Sequence, residues 1–350
     1  MPYRRIPKNG SRLWTLPIKL TALFFSWLVV ISLFHYQLNN RRPEKKQIVR
    51  MGYMPVVTNL AAPLLDHVSQ NDSHVHFEAL KFSSFAEMAE ALRNGNIHTA
   101  FIIAPLAIVL RQQGVDVKAI MIGNRHESTL VAKKSLHAKS LEDLSGSTVA
   151  IPMRYSGHNL CLLEKIEEKG LQGKIRVVEM NPPDMASALT SGALDAYFVG
   201  EPFAVQTVLS GDADVVAYVE SMWPNFICNL ILVKNKWLTA NPSLAEKLVE
   251  TAARSGLWAS QHPDQAAKIV SRYWNQPIEL VRHALTEPLG RIRYDQFIPR
   301  VDELQVMADL MVRFDLIDHA DIQGLVEDRF AVAANTDGID EENSILLPKK

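Results

Sequence analysis

The order of apolar and polar positions divides the chain into an N-terminal apolar run, an alternating α/β body and a helical last third. Residues 20–40 hold no Asp, Glu, Lys or Arg, and at about 1.5 Å rise per residue such a run spans the hydrocarbon of a bilayer. No later stretch is as long and apolar. Beyond it, short strand-like runs are predicted at Gln47–Met54, His74–Lys81, Val117–Ile122, Leu130–Lys133, Ser147–Ile151 and Ile175–Met180. Thr58 and Asn59 read as caps of a helix starting near Ala61, and Ser83 or Ser84 as the cap of the helix carrying Met88. Tyr155, Ser156, Gly157, His158 and Asn159 open a helix through Lys169. The chain is expected to cross into a second lobe at Leu130–Lys133 and to return near Trp223–Val233. From Asn241 a helix runs to about Gln261. Pro263, Pro277 and Pro288 then punctuate three more helical pieces, and Val301–Phe314 supplies a further amphipathic helix. This helical third reads as an extension of the first lobe. The last 16 residues, Asn335 to Lys350, are polar and aperiodic and read as a mobile tail.

Two stretches 97 positions apart read alike. Met88, Ala89, Ala91, Leu92, Gly95, Phe101, Pro105 and Ala107 match Met185, Ala186, Ala188, Leu189, Gly192, Phe198, Pro202 and Ala204 without a gap. Each copy predicts a helix ended by Gly, a short buried strand, and a Pro suited to the first turn of the next helix. Two related α/β lobes follow, with a cleft between them. Five strand-to-helix junctions are expected to face that cleft: Thr58/Asn59, Ser83/Ser84, Ala104/Pro105, Ser156–Asn159 and Gly200–Pro202. Converging helix starts favour an anion or a strongly polarised ligand, because their N–H groups carry the positive end of the helix dipole.

Composition changes this picture little. The 350 residues are 47% hydrophobic and 21% charged, and 37 Lys and Arg against 38 Asp and Glu leave a net charge of −1, without the basic excess of a nucleic-acid protein. Arg4, Arg5, Lys8, Arg12 and Lys19 precede the apolar run, and Arg41, Arg42, Lys45 and Lys46 follow it, so charge alone leaves its orientation open. A cleaved signal peptide and an uncleaved anchor both fit. Bulky residues from Ser32 to Tyr36, where a peptidase wants small ones, and the absence of a following Cys to lipidate favour the anchor.

Enzyme signatures such as HExxH, GxSxG, a Walker loop or a dinucleotide fingerprint are missing. His74 and His76 alternate on a strand but find no Cys or carboxylate at a matching spacing, so neither metal nor cofactor is expected. A bond between Cys161 and Cys228 would link a lobe to the hinge and hinder closure. His158, at what reads as an exposed helix start, is placed to donate to an anion with a near-neutral pKa or merely to hydrogen-bond backbone. Glu201, before Pro202, is placed to accept from a ligand amine, bind a cation or satisfy neighbouring N–H groups. Arg125 and His126 are alternative sources of positive charge or a solvated surface. Tyr155 and Trp223 pack over a ligand or in the core.

These segments resemble the solute-binding proteins of ATP-driven importers in the nitrate, sulfonate, taurine and bicarbonate group. The matching residues include Gly52-Tyr53 with Ala62-Pro63-Leu64, Met88–Gly95, Ser156–Leu160, Asn181–Met185, Val199–Pro202 and Trp223-Pro224-Asn225. Phe203, Gln206, Thr207 and Val208 add to the likeness to the nitrate and bicarbonate branch. The resemblance implies a two-lobed periplasmic-binding-protein fold of type II with hinge crossovers and a helical C-terminal extension. It divides the chain into a stub, transmembrane anchor and linker (1–46), lobe 1 (47–131 and 225–334), lobe 2 (132–224) and the tail (335–350). Together with the strand-to-helix junctions, it points to a ligand pocket formed by Thr58, Asn59, Ser83, Ser84, Tyr155, Ser156, His158, Asn159, Gly200, Glu201 and Asn225. Within it His158 contacts the anion, Gly200 and Glu201 line the same pocket, and Asn225 or Phe226 stands where a pocket Lys would help neutralise nitrate. The implied partners are a small anionic or zwitterionic ligand, an ABC permease with its ATPase, and the inner membrane, with the body in the periplasm. A ligand-sensing subunit, or a pyrimidine-precursor binding protein or enzyme on the same fold, are the alternatives.

Overall fold

The computed structural model describes residues 15–40 and 46–346; of the basic residues flanking the apolar run, only Lys19 and Lys46 lie among them. The N-terminal helix and the body from Ile48 onward are separate compact units. The helix, Thr15–Asn40, contains a 19-residue span from Ile18 to Tyr36 with mean hydropathy 1.8. That span is long and apolar enough to cross a membrane, rising about 28 Å at ~1.5 Å per residue.

In the body, ten strands are present among the described residues: β1 (Gln47–Tyr53), β2 (Val75–Lys81), β3 (Thr99–Ile103), β4 (Val117–Ile122), β5 (Ser128–Lys133), β6 (Thr148–Ile151), β7 (Arg176–Glu179), β8 (Ala196–Gly200), β9 (Ala213–Tyr218) and β10 (Asn229–Lys234). They form two five-stranded sheets, in the orders β2-β1-β3-β10-β4 and β7-β6-β8-β5-β9. The two sheets share one plan. β1 runs parallel to β3, as β6 does to β8, and the fourth strand of each sheet, β10 or β5, is antiparallel to its neighbours. Each fourth strand is contributed by a crossing segment of the chain, and each carries a bulge at the same step, Ile231/Leu232 in β10 and Leu130/Val131 in β5.

The sequence repeat is therefore a repeat of structure. Helices Phe85–Asn94 and Pro182–Ser191 both end on a left-handed glycine, Gly95 (φ 77°) and Gly192 (φ 86°). The closing bonds are the same: Gly95 N–H to Leu92 and Asn96 N–H to Ala91 in one copy, Gly192 N–H to Leu189 and Ala193 N–H to Ala188 in the other. Phe101 and Phe198 then sit at the centre of β3 and β8, fully buried. The copies part at their prolines. Pro105 stands in the first turn of helix Ala104–Gln112, whereas Pro202 follows a cis peptide and caps helix Phe203–Leu209 from outside, not within its first turn as expected.

Alternation along the strands of the first sheet feeds two cores. Met51, Phe101, Ile120 and Ile231 pack with Trp258, Val270 and Val281 from the helical extension, and Ala100, Ile102, Ala119 and Leu230 belong to the other core. The extension consists of helices Pro242–Gln261, Pro263–Trp274 and Ile278–Thr286, then Val301–Arg313. The helix expected after Pro288 is absent, and residues 287–300 are a non-helical connection. The expectation of a mobile tail fails for Asn335–Leu346. Arg254, fully buried, donates to the carbonyls of Asn335 (3.0 Å), Asp337 (2.8 Å), Gly338 (3.2 Å) and Ser344 (2.7 and 2.9 Å), and Ile345 is buried beside it. A polar aperiodic sequence is held here by its backbone carbonyls, which composition does not reveal.

Candidate functional site

The two crossing strands enter their sheets in the same manner. Glu127 O accepts from Glu201 N–H (3.0 Å), and Cys228 O from Ala104 N–H (2.9 Å), 97 positions earlier than Glu201. The next residues, Ser128 and Asn229, pair with Gly200 and Ile103 at the ends of β8 and β3. Each then reaches the segment that follows β1 or β6. Asn229 Nδ2 donates to Asn59 Oδ1 (2.6 Å), and Ser128 Oγ lies 2.8 Å from His158 Nε2. Ser128 Oγ also donates to Glu127 Oε2 at 2.8 Å. Gly200 makes room for this arrangement, since a Cβ there would stand 2.8 Å from Glu127 Oε2. Gly123 allows a closer approach still: a Cβ would stand 2.1 Å from the carbonyl oxygen of Thr58.

Next to this pair lies a second carboxylate. Glu201 Oε1 accepts from Thr129 Oγ1 (2.7 Å), and Oε2 accepts from Val205 N–H (2.9 Å), capping the short helix that follows. Both oxygens thus satisfy neighbouring donors, one of the three roles open to it. Arg291, from the non-helical connection, supplies the charge. Its guanidinium donates to Glu220 (3.1 and 3.2 Å), to Thr129 Oγ1 (3.1 Å) and to Ser128 O (2.7 Å), lies 3.8 Å from Glu201 Oε1, and covers the Tyr218 ring at 4.4 Å. Burial pushes the Glu201 carboxyl up to about 7, against the lowering effects of the Thr129 hydroxyl and Arg291. Glu127 is raised by burial too, opposed by Cys228, Ser128 and Arg291.

His158 departs from expectation. It stands in the first turn of helix Gly157–Glu168, capped by Ser156 Oγ, which accepts from Asn159 N–H (3.2 Å), but it is only 2% exposed. The edges of Phe198 and Phe226 enclose the ring at 5.1 and 5.5 Å between centroids. Burial alone drives its pKa down to about 3, so the imidazole is neutral at physiological pH and the near-neutral titration expected of an exposed histidine is lost. Phe226, the apolar residue after Trp223-Pro224-Asn225, is one wall of that enclosure and Phe198 the other. The Nδ1 atom of His158 has no hydrogen-bond partner among the described residues.

The other expected residues divide. Thr58 and Asn59 do not cap helix Ala61–Ser69. They lie in the 3-10 turn Val57–Asn59, because Asn59 Nδ2 turns back to Met54 O (3.2 Å) and its oxygen is taken by Asn229. Val57 N–H donates to Glu201 O (2.8 Å), which brings this turn against Gly200–Glu201. Ser84 caps helix Phe85–Asn94 through Ala86 N–H, and Ser83 Oγ faces Glu87 on the outside. Asn159 Nδ2 holds Arg154 O (2.8 Å), and Tyr155 is half-buried beneath the Arg154 guanidinium. Asn225 is outside the cluster, in an exposed turn at φ 62°, where its carbonyl accepts from Arg125 Nη1. Arg125 is itself buried and paired with Glu303. Cys161 and Cys228 are free and buried.

Glu127, Ser128, Thr129, Asn229 and Arg291 were not singled out from sequence. The available signal is a charged residue, Glu127, immediately before a strand, Ser128–Lys133, that is buried along all but its last residue. A cavity of about 440 Å³ is lined by Ser84–Ala86 at one helix start and by Glu179, Met180, Asn181 and Asp184 at another, with Pro152 and Met153 a few residues before Ser156; none of the cluster residues lines it. Among the described residues, no group of three or more His, Cys, Asp or Glu side chains is arranged to hold a metal.

The fold has known counterparts. The nitrate-binding protein NrtA from Synechocystis matches with a TM-score of 0.72 at 15% identity, over 82% of this chain and 87% of its own. In sequence, a putative aliphatic sulfonates-binding protein of Bacillus subtilis is 24% identical over 223 residues, 62% of this chain and 66% of the relative. The taurine-binding periplasmic protein of Escherichia coli is 23% identical over 218 residues, 58% of this chain and 66% of the relative. The chain thus spans just under two thirds of the length of each of these two relatives. The model of the NMT1-like family matches residues 42–273, most of the α/β body, and the chain belongs to that family.

Proposed function

We propose that this chain is the solute-binding component of an ABC importer, capturing a small anionic or zwitterionic solute of the sulfonate, taurine or nitrate class between its lobes. Lobe 1 comprises residues 47–127 and 225–334 and lobe 2 residues 128–224, the first boundary moved back from 131 because Ser128–Val131 belong to β5 of the second sheet, and the crossing segments are the hinge. The observation that carries this reading is the cavity bordered by helix starts from both sheets, Ser84–Ala86 and Asn181–Asp184. The start at Phe85 leaves N–H groups that the helix cannot use, with Ala86 N–H taken by Ser84 Oγ, whereas the start at Pro182 acts through its dipole and the Asn181 side chain, since Pro182 and Pro183 have no N–H and Asp184 N–H donates to Asn181 O (3.0 Å). Each helix dipole contributes about 0.3–1 kcal/mol toward a negative charge, opposed at this cavity by the Glu179 and Asp184 carboxylates. Loop 152–156 links this cavity to the start of the His158 helix, where Gly157 and His158 N–H point out of the helix in the same way. Arg291 is already engaged by Glu220 and the Ser128 carbonyl, so helix starts and neutral donors supply the attraction. The reading assigns the chain no reaction and no cofactor.

The N-terminal helix serves in this reading as an uncleaved anchor in the inner membrane, with the body in the periplasm beside a permease and its ATPase. Thermal unfolding of the full chain in detergent, with nitrate, bicarbonate, taurine and ethanesulfonate, tests the binding reading. A ligand at 100 times its Kd stabilises by about 2.7 kcal/mol, and silence across the set removes the small-anion class. The mass of the chain recovered from membranes tests the anchor, which is refuted by a mature product lacking residues 15–40.

A further inference from the structure

The hydrogen-bond chain that starts at Glu127 ends on an atom with nothing to bind. Ser128 Oγ stands 2.8 Å from Glu127 Oε2 and 2.8 Å from His158 Nε2. A hydroxyl has one hydrogen. With Glu127 ionised, that hydrogen goes to the carboxylate, so Nε2 carries the imidazole proton and donates to Oγ. Nδ1 is then a bare acceptor, buried and unpartnered among the described residues, as is Glu127 Oε1. In that state the His158 ring offers an oxyanion a lone pair.

We propose that Glu127, Ser128 and His158 form a proton relay that turns His158 Nδ1 from acceptor into donor as an anion binds. One proton enters at Nδ1; Nε2 hands its proton to Ser128 Oγ, and Ser128 hands its own to Glu127 Oε2. The balance is one proton gained. The carboxylate charge is cancelled, the imidazole stays neutral throughout, and Nδ1–H faces the anion. This rests on the proposed function and deepens it by placing the captured anion against His158 Nδ1.

The surroundings suit such a relay and oppose a charged ring. Phe198 and Phe226 enclose His158, and no charged side chain offsets its burial. The groups facing Glu127 are Arg291, Glu201, the Cys228 thiol and the Tyr294 phenol. Burial outweighs the first of these and raises the Glu127 carboxyl toward the range where it takes up a proton. The counterpart in the first sheet runs Cys228 Sγ to Asn229 Oδ1 (3.3 Å) and Asn229 Nδ2 to Asn59 Oδ1 (2.6 Å). No member of that chain titrates near neutrality, since burial pushes the Cys228 thiol well above its usual range. The duplicated contact moves a proton in one sheet only.

The test begins without ligand. Nitrogen-15 NMR of histidine-labelled full-length chain in detergent, from about pH 5 to about pH 9, with His158→Asn to assign the signal, reads the tautomer directly. The expected result is a change from Nε2–H at high pH to Nδ1–H at low pH with no imidazolium. It is abolished by Ser128→Ala and by Glu127→Gln. A tautomer that is constant with pH, or a transition that survives in Ser128→Ala, overturns the relay. Calorimetry with nitrate and with ethanesulfonate in buffers of different ionisation enthalpy forms the second arm. Uptake of one proton, and affinity falling about tenfold per pH unit above the midpoint, supports the relay; anion binding without proton uptake in the wild type overturns it. Tautomer switching with neither anion bound leaves the relay standing and refutes the anion reading instead.

Discussion

Burial holds the His158 imidazole neutral down to about pH 3 and the Glu201 carboxyl protonated up to about pH 7, and linkage gives these two shifts opposite signs. His158, lowered from 6.5, contributes stability that is present above 6.5 and lost as pH falls toward 3. Glu201, raised from 4.5, contributes stability that is present below 4.5 and lost as pH rises toward 7. Between 4.5 and 6.5 the two slopes oppose each other. Replacing His158 by Asn removes one of them. Denaturant melts of that variant are expected to show stability falling more steeply with rising pH across this interval than in the wild type; an unchanged slope would mean that the ring is hydrated. None of this was legible at the residue scale. The sequence places His158 at a helix start, where a side chain is usually wet. What encloses it is Phe198 together with Phe226, which arrives from 68 positions away on the return crossing. Glu127, Ser128 and Arg291 were hidden for the same reason: their partners are set by the register of exchanged strands, not by spacing along the chain.

At the scale of elements, the repeat makes a paired prediction. Gly95 and Gly192 end their helices in the left-handed region, and a Cβ there would meet only a lysine ammonium, at 4.0 and 3.7 Å. Alanine at either site therefore incurs backbone strain and little else, about 1–2 kcal/mol, and the two losses should agree in denaturant melts. Gly123→Ala is different. Its Cβ would collide with backbone in the Val57–Asn59 turn, and a loss beyond about 3 kcal/mol is expected. Elements were the most legible part of the chain. β1, β2, β4, β6 and the helix at Pro242 fall within a residue or two of their predicted bounds, because period and capping residues are local signals. β9 is not legible, since only the first residue of Ala213–Tyr218 is buried, and Pro288 reads as a helix start although the connection after it is not helical.

Across the whole molecule, Arg254 ties the end of the chain to the helical extension through five donated bonds. Arg254→Met keeps the bulk and removes the donors. It should lower stability by about 3–5 kcal/mol and open residues 335–346 to protease and to hydrogen exchange, whereas a segment that stays protected would show that Ile345 alone holds it. The exchange of β5 and β10 between sheets has a different reach. The second sheet is drawn from one continuous stretch, Ser128 to Tyr218, but the first cannot join β3 to β4 until β10 arrives at Asn229–Lys234. On the ribosome the later-encoded sheet is therefore the first that can close. Meanwhile β3 waits with an unpaired edge, the kind of surface that invites pairing with another chain. Nascent chains halted with residue 222 outside the exit tunnel should protect β5–β9 from proteolysis while leaving β1–β4 open, so the birth order of the lobes runs against their order in the gene.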